Sequence, residues 1–151
     1  MKKLTVSNAF LGEAAEALKE GHAVKLLIGG QSMYPFIKGG ADLVEVIPCP
    51  PEEELPRWCC PFYCWEGRYM IHRYIGSRGD ECLMLGDGNL ARIESVKRTE
   101  IIGLLRTIYR VGGKEQDCRD PRWLRKAEWW YRLRFFRRWL LPLMKALHIR
   151  W

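Results

Sequence analysis

Gly29-Gly30-Gln31-Ser32-Met33-Tyr34-Pro35 stands between two strand-like runs, Ala23-Val24-Lys25-Leu26-Leu27-Ile28 before it and Asp42-Leu43-Val44-Glu45-Val46-Ile47 after it. Two glycines let the backbone turn tightly, and Pro35 fixes φ soon after the serine. The pattern predicts a hydroxyl presented on a stiff turn between two strands. Serine is a poor nucleophile at its free pKa, so a catalytic Ser32 needs a base elsewhere, most commonly a histidine. The chain has three, His22, His72 and His148.

Working outward, the β-type pattern continues. Arg68–Ile75 is β-prone, residues 76–80 are turn-forming, and Glu81–Leu85 forms a second run, which together predict a hairpin. It ends at Gly86-Asp87-Gly88-Asn89, a tight turn that places a carboxylate just past a strand. Another strand, Glu100–Arg110, follows a polar connector, and Gly112-Gly113 closes this part. Strands do not alternate with helices and no repeat is present, which argues against a doubly wound parallel sheet. Between the strands, Pro48–Pro61 is rich in breakers and predicts a surface loop or flap. The aromatics Trp58, Phe62, Tyr63 and Trp65 would either line a peptide cleft or cover the core.

Helices are expected at the two ends. Residues 7–20 have Ser7 as N-cap, Phe10, Ala14, Ala17 and Leu18 on one face, and Gly21 beyond the end. This is expected to be a structural helix, with Lys2 and Lys3 as solvated charges. The tail opens with Asp120 as N-cap and Pro121 at the first helical position. In it Leu133, Phe136, Leu140, Leu143 and Leu147 recur at helical spacing, and Pro142 is expected to kink or end the first helical segment. The chain thus divides into an N-terminal helix (1–22) packed on the core, a β-rich domain (23–118) and a basic, Trp-rich amphipathic tail (119–151).

Charge is concentrated in that tail. Residues 119–151 hold ten Lys/Arg against Asp120 and Glu128, a net of +8, which leaves the first 118 residues near −1 of the chain's +7. Five of the seven tryptophans lie there too. Arginines interrupt the apolar stretches too often for a bilayer span, but a cationic Trp-rich helix suits a membrane surface. Packing on this domain or on a partner is the second reading and an RNA-binding arm the third; bulky apolar content beyond what phosphate binding needs makes nucleic acid the least favoured. No apolar h-region follows Met1-Lys2-Lys3, so no signal peptide is expected and the six cysteines are expected to be reduced thiols of a cytoplasmic protein. The spacing Cys59-Cys60-x-x-x-Cys64 lacks paired C-x-x-C units, so buried or loop thiols are favoured over zinc and no cofactor is invoked.

Ser32, His72 and Asp87 each fall at a turn or strand edge, where they could converge. His72 would take the proton of Ser32, Asp87 would fix the imidazole, and the Ser32 N–H would serve as oxyanion donor. His22 is expected to be a turn residue.

The residues also resemble a known family. GGQSMYPFIKGGADLVEV is similar to the serine box of the type I signal peptidases, G-x-S-M-x-P followed by a G-D-hydrophobic strand. YMIHRYI resembles the H-R strand of the branch that uses histidine as base, LMLGDGN its T-K-G-D-x-N box, and EIIGLLRTIYR its closing strand. The four boxes span about residues 23–110 in the family's order. The resemblance implies a mainly β fold, a coiled antiparallel sheet with a short N-terminal helix and the basic C-terminal helix added. It also implies a serine endopeptidase with Ser32 as nucleophile, His72 as base and Asp87 as acid, cutting a leader or signal-type peptide after small residues. The branch carries a second acid a few positions beyond its G-D box; Glu94 lies near that place but out of register, and is the alternative third member. Asp42 is expected to close the serine turn, and Arg73 to support its strand through an ion pair. The family's membrane anchor before the serine box has no counterpart here, so the enzyme is expected at the inner membrane surface, held by its tail. The alternative is a catalytically silent module binding peptide, membrane or nucleic acid.

Overall fold

Helix α1 (Asn8–Lys19) opens the part of the chain, residues 8–151, that the computed structural model describes. Ser7, Lys2 and Lys3 lie outside the described residues. The buried stripe of α1 is Ala14, Ala15 and Leu18, with Leu11 packed alongside, so the inward face is turned away from the expected Phe10. Nine strands follow: β1 (Val24–Leu27), β2 (Leu43–Pro48), β3 (Pro61–Trp65), β4 (Arg68–Ile71), β5 (Arg73–Arg78), β6 (Glu81–Leu85), β7 (Ile93–Lys97), β8 (Ile101–Tyr109) and β9 (Glu115–Asp117). Two helices, α2 (Pro121–Arg132) and α3 (Arg137–Ala146), close the chain.

All strand pairs are antiparallel. The first sheet runs β1-β2-β8-β3-β4, with β9 paired to the end of β8, and the second runs β5-β6-β7. The first sheet curls, so that the ends of its two edge strands, β1 and β4, border one cleft. The fold is therefore the expected mainly β arrangement, a curled antiparallel sheet with a short helix at one end and helices at the other.

The predicted strand Arg68–Ile75 is two strands, divided at His72. Ile71, His72 and Arg73 are all buried, and a strand that alternates its side chains cannot bury three in a row on one face. The chain passes from the first sheet to the second at this residue. Strand β7, expected to be connector, is polar in composition but alternates strictly, with Glu94 and Val96 inward. The proline-rich stretch before β3 is the expected surface loop, exposed at residues 51–54, 56 and 57, and its ends pack down as cover: Cys49, Trp58, Cys59 and Cys60 are buried, and the Trp58 ring meets Tyr131 of α2 at 5.1 Å.

The tail belongs to the main core. Asp120 caps α2 through the Arg122 N–H with Pro121 at the first position, as expected, and Trp123, Ala127 and Trp130 are buried along it. A 3₁₀ turn at Arg134–Phe136 then restarts the helix, and α3 buries Arg137, Leu141 and Met144. The helix break thus precedes Pro142, which sits inside α3. The restart has a visible consequence, since it sets the Arg137 guanidinium in the core. Of the stripe picked out by periodicity, Phe136, Leu143 and Leu147 are exposed, Leu133 is half-buried, and Leu140 packs against the core. One apolar cluster joins α1, the first sheet, the serine turn and both C-terminal helices; a smaller one gathers Tyr63, Met84, Val96 and Ile101 between the sheets.

Candidate active site

The serine turn is built from below. Met33, Tyr34, Phe36 and Ile37 are buried, and the N–H groups of Phe36 and Ile37 both donate to the Met33 carbonyl. Side chains anchored in this way leave Ser32 at the half-open top. Gly39 presses on Gly30: a Cβ at Gly39 would stand 1.6 Å from the Gly30 oxygen, so only glycine permits this approach. Asp42, fully buried, accepts the Lys38 N–H at 2.8 Å and is ion-paired to Arg150, which closes the turn as expected. The Ser32 carbonyl accepts the Gly88 N–H at 2.8 Å, while the Ser32 N–H makes no backbone hydrogen bond among the described residues.

His72 is buried at the crossing between the sheets, and its Nδ1 is hydrogen-bonded to Glu94 Oε1 of β7. The Tyr63 hydroxyl lies 3.1 Å from both atoms and donates to Glu94. Burial, and then the Glu94 charge, push the Tyr63 phenol far above its ordinary range, so it remains a neutral donor. A carboxylate accepts only, so Nδ1 is the donor in this contact, and in the neutral imidazole Nε2 is then the acceptor nitrogen. Glu94 Oε2 is buried without a hydrogen-bond partner among the described residues.

Asp87, the acid expected to orient His72, is engaged elsewhere. Arg73 grips it with two hydrogen bonds, Nε to Oδ1 at 3.2 Å and Nη2 to Oδ2 at 2.6 Å, and its third arm donates to the Trp58 carbonyl at 2.8 Å. The guanidinium is itself sandwiched by Phe36 and Trp123, at 4.6 and 4.4 Å from the ring centres. Burial by itself would lower the Arg73 pKa; the charge and hydrogen bonds of Asp87, together with the Cys60 and Cys118 sulfurs, hold it above the ordinary value. Asp87 is therefore a structural anion, and the place beside Nδ1 belongs to Glu94. The turn that carries Asp87 is pinned further. Its own carbonyl accepts the Trp130 indole N–H at 2.8 Å, and Arg137 donates to the carbonyls of Gly86 and Asn89 at 3.1 and 3.0 Å. Burial depresses the Arg137 pKa to about 10.

Two clefts meet at Ser32 and His72. One, of about 300 Å³, is mostly apolar and runs between the ends of β1 and β4, lined by Leu27, Ile28, Met33, Phe62, Met70 and Ile71. The other, of about 440 Å³, adds Asn89, Leu90, Ala91, Arg92 and Glu94. Ser32 and His72 line both, without a direct hydrogen bond between their side chains. Comparison with protein-family models, curated proteins and solved structures finds no match. His22 and His148 are exposed and lie outside both clefts. All six cysteines are free thiols, and among the described residues no three His, Cys, Asp or Glu side chains gather as metal ligands would. Glu94 had two signals in the sequence, its place a few residues beyond the G-D box, which made it the alternative acid, and its inward place in the alternation Ile93-Glu94-Ser95-Val96-Lys97.

Proposed function

We propose that this protein is a signal-peptidase-like serine endopeptidase in which Ser32 is the nucleophile, His72 the base and Glu94 the acid that orients it. The observation that carries the reading is the buried His72–Glu94 hydrogen bond, which leaves Nε2 as the free nitrogen beside the cleft that Ser32 also lines. Ser32 Oγ attacks the scissile carbonyl carbon while His72 Nε2 takes its proton, and Glu94 stabilises the imidazolium. The oxyanion is held by the Ser32 N–H, uncommitted within the backbone. The imidazolium then protonates the leaving amine as the C–N bond breaks, and water, deprotonated by His72, hydrolyses the Ser32 ester. The edges of β1 and of β4 beyond Tyr69, whose N–H is taken by Asn8, can pair with an extended peptide, and the apolar lining between them receives its side chains. The substrate is a leader or signal-type peptide, with small residues before the cut.

The test is covalent labelling of the full chain with an active-site-directed fluorophosphonate, together with cleavage of candidate precursors. Labelling is expected at Ser32, absent in Ser32→Ala and strongly slowed in His72→Ala; equal labelling of the His72 variant overturns the mechanism. The lack of a direct Ser32–His72 hydrogen bond favours one second reading, a catalytically silent peptide-binding module. That reading predicts no labelling of any form and retained peptide binding.

A further inference from the structure

We propose that the outer face of α2, the 3₁₀ turn and α3 docks into the interface of an anionic lipid bilayer, and that this docking holds the Ser32–His72 cleft at the bilayer surface. The docking stands apart from catalysis; only its consequence, a peptide substrate met at the membrane, rests on the endopeptidase reading.

Helix α3 carries two apolar faces where an ordinary packed helix carries one, whereas the exposed face of α2 is charged, with Arg122, Arg125, Lys126 and Arg132 around Trp129. The inner face of both helices, with Trp123, Trp130, Leu141 and Met144, is buried in the core. On α3 the residues opposite it are Trp139, Pro142, Leu143 and Ala146, an i, i+3, i+4, i+7 ridge, and all four are exposed. Phe135 is 72% exposed, and Trp129, Trp139 and Leu147 are each 60% exposed. Since the inner face is locked, this ridge is presented as a fixed shape.

Charge selects the occupant. Arg138 and Lys145 flank the ridge and form no ion pair among the described residues. Arg138 and Arg134 lie over Trp139 and Phe135 at 4.6 and 4.4 Å from the ring centres, and Arg132, which also pairs with Glu128 at 3.1 Å, lies 5.4 Å from the Trp129 ring. Cations beside exposed aromatics match anionic head groups above an apolar layer. A second copy would bring the same net positive tail against its like, and nucleic acid would leave Leu143 and Leu147 unburied.

Position links the ridge to the site. A groove of about 380 Å³ is lined by Arg134, Phe135 and Arg138 from the helices and by Leu85, Leu90, Ala91 and Ile93 from the core. Leu90 and Ala91 also line the cleft that holds Ser32, His72 and Glu94. Leu90 and Ile93 are themselves exposed apolar residues. The apolar surface therefore runs from the ridge to the mouth of the site.

The experiment is flotation of the full chain with vesicles of phosphatidylglycerol and phosphatidylcholine, or of phosphatidylcholine alone. Deleting the tail would remove part of the core, so the variants are surface ones, Phe135→Ser/Trp139→Ser/Leu143→Ser and Arg138→Glu/Lys145→Glu, with unchanged melting as the check of folding. Binding to the anionic vesicles is expected, at least tenfold weaker for each variant and for neutral vesicles. Failure to bind, equal binding of the triple variant, or concentration-dependent self-association through the same residues overturns docking. Hydrogen exchange on vesicles reads the orientation: residues 86–94 and 133–148 should be protected together, and protection of the helices alone overturns the second half. Ser32→Ala should float as the parent does, and fluorophosphonate labelling without vesicles should survive in the triple variant, so that failure of docking and failure of the peptidase reading are told apart.

Discussion

Two acids close to the serine turn differ in what surrounds them, and the difference predicts opposite outcomes. Asp87 faces a buried guanidinium, so Asp87→Ala leaves Arg73 charged, desolvated and unpaired. Breaking one side of such a pair costs roughly 3–5 kcal/mol, and chemical denaturation should show a loss of that size. Glu94 faces a histidine and a phenol, with one oxygen unpaired. Glu94→Gln keeps the volume but offers Nδ1 an amide that can present N–H in place of an acceptor, which disturbs the tautomer that His72 needs. Fluorophosphonate labelling of Ser32 should slow on the order of 10²-fold or more while the melting temperature moves little. A Glu94→Gln variant that labels at the parent rate would show that His72 needs no acid partner.

The glycine-aspartate turn at 86–89 is the element through which the helices reach the site. Trp130 and Arg137 hold it from one side, and its Gly88 N–H holds the Ser32 carbonyl on the other. A Cβ at Gly88 would stand 2.3 Å from the Gln31 oxygen, so Gly88→Ala must displace one backbone or the other. Overpacking of this kind costs about 1–3 kcal/mol, and labelling of Ser32 should fall by more than the lost stability explains; a full labelling rate would mean that the turn does not position the serine. Much of this was legible beforehand. Glycine, proline and alternation mark the serine turn, the β5–β6 hairpin and the cap of α2, because those are local choices of backbone. The partner of His72 was not legible, since two neighbouring carboxylates are separated only by which cation or imidazole the fold brings to them. Nor was the inner face of the tail, where Trp123, Trp130 and Arg137 compete with an equally periodic outer stripe and the restart at Arg134–Phe136 decides between them. The division at His72 escaped for a related reason: Arg68–Ile75 looks like one β run until its consecutive burial is seen.

At the scale of the molecule, one core serves both the fold and the site, and its thiols make that dependence measurable. Burial raises Cys60 to about 12 and also raises Cys59 and Cys118 from the ordinary value of 9.0. Cys60 and Cys118 share the cluster that holds the serine turn, α1 and the C-terminal helices. Below pH 9 these thiols are protonated in both states and do not change stability. Above it the unfolded chain releases their protons while the folded chain retains them, so the folded state binds more protons and stability falls as pH rises toward the folded values. Each such thiol contributes a slope of up to about 1.4 kcal/mol per pH unit. Urea midpoints measured at pH 8, 9, 10 and 10.5 should hold steady and then drop, and Cys60→Ala should start lower but decline less steeply. Thiol reagents should find Cys64, which is only partly buried, well before Cys60 in the native protein. Ser32 labelling should be lost with the same midpoint as the core, because the turn that presents the serine has no support outside it; labelling that outlasts the unfolding transition would show that the site holds together by local contacts alone.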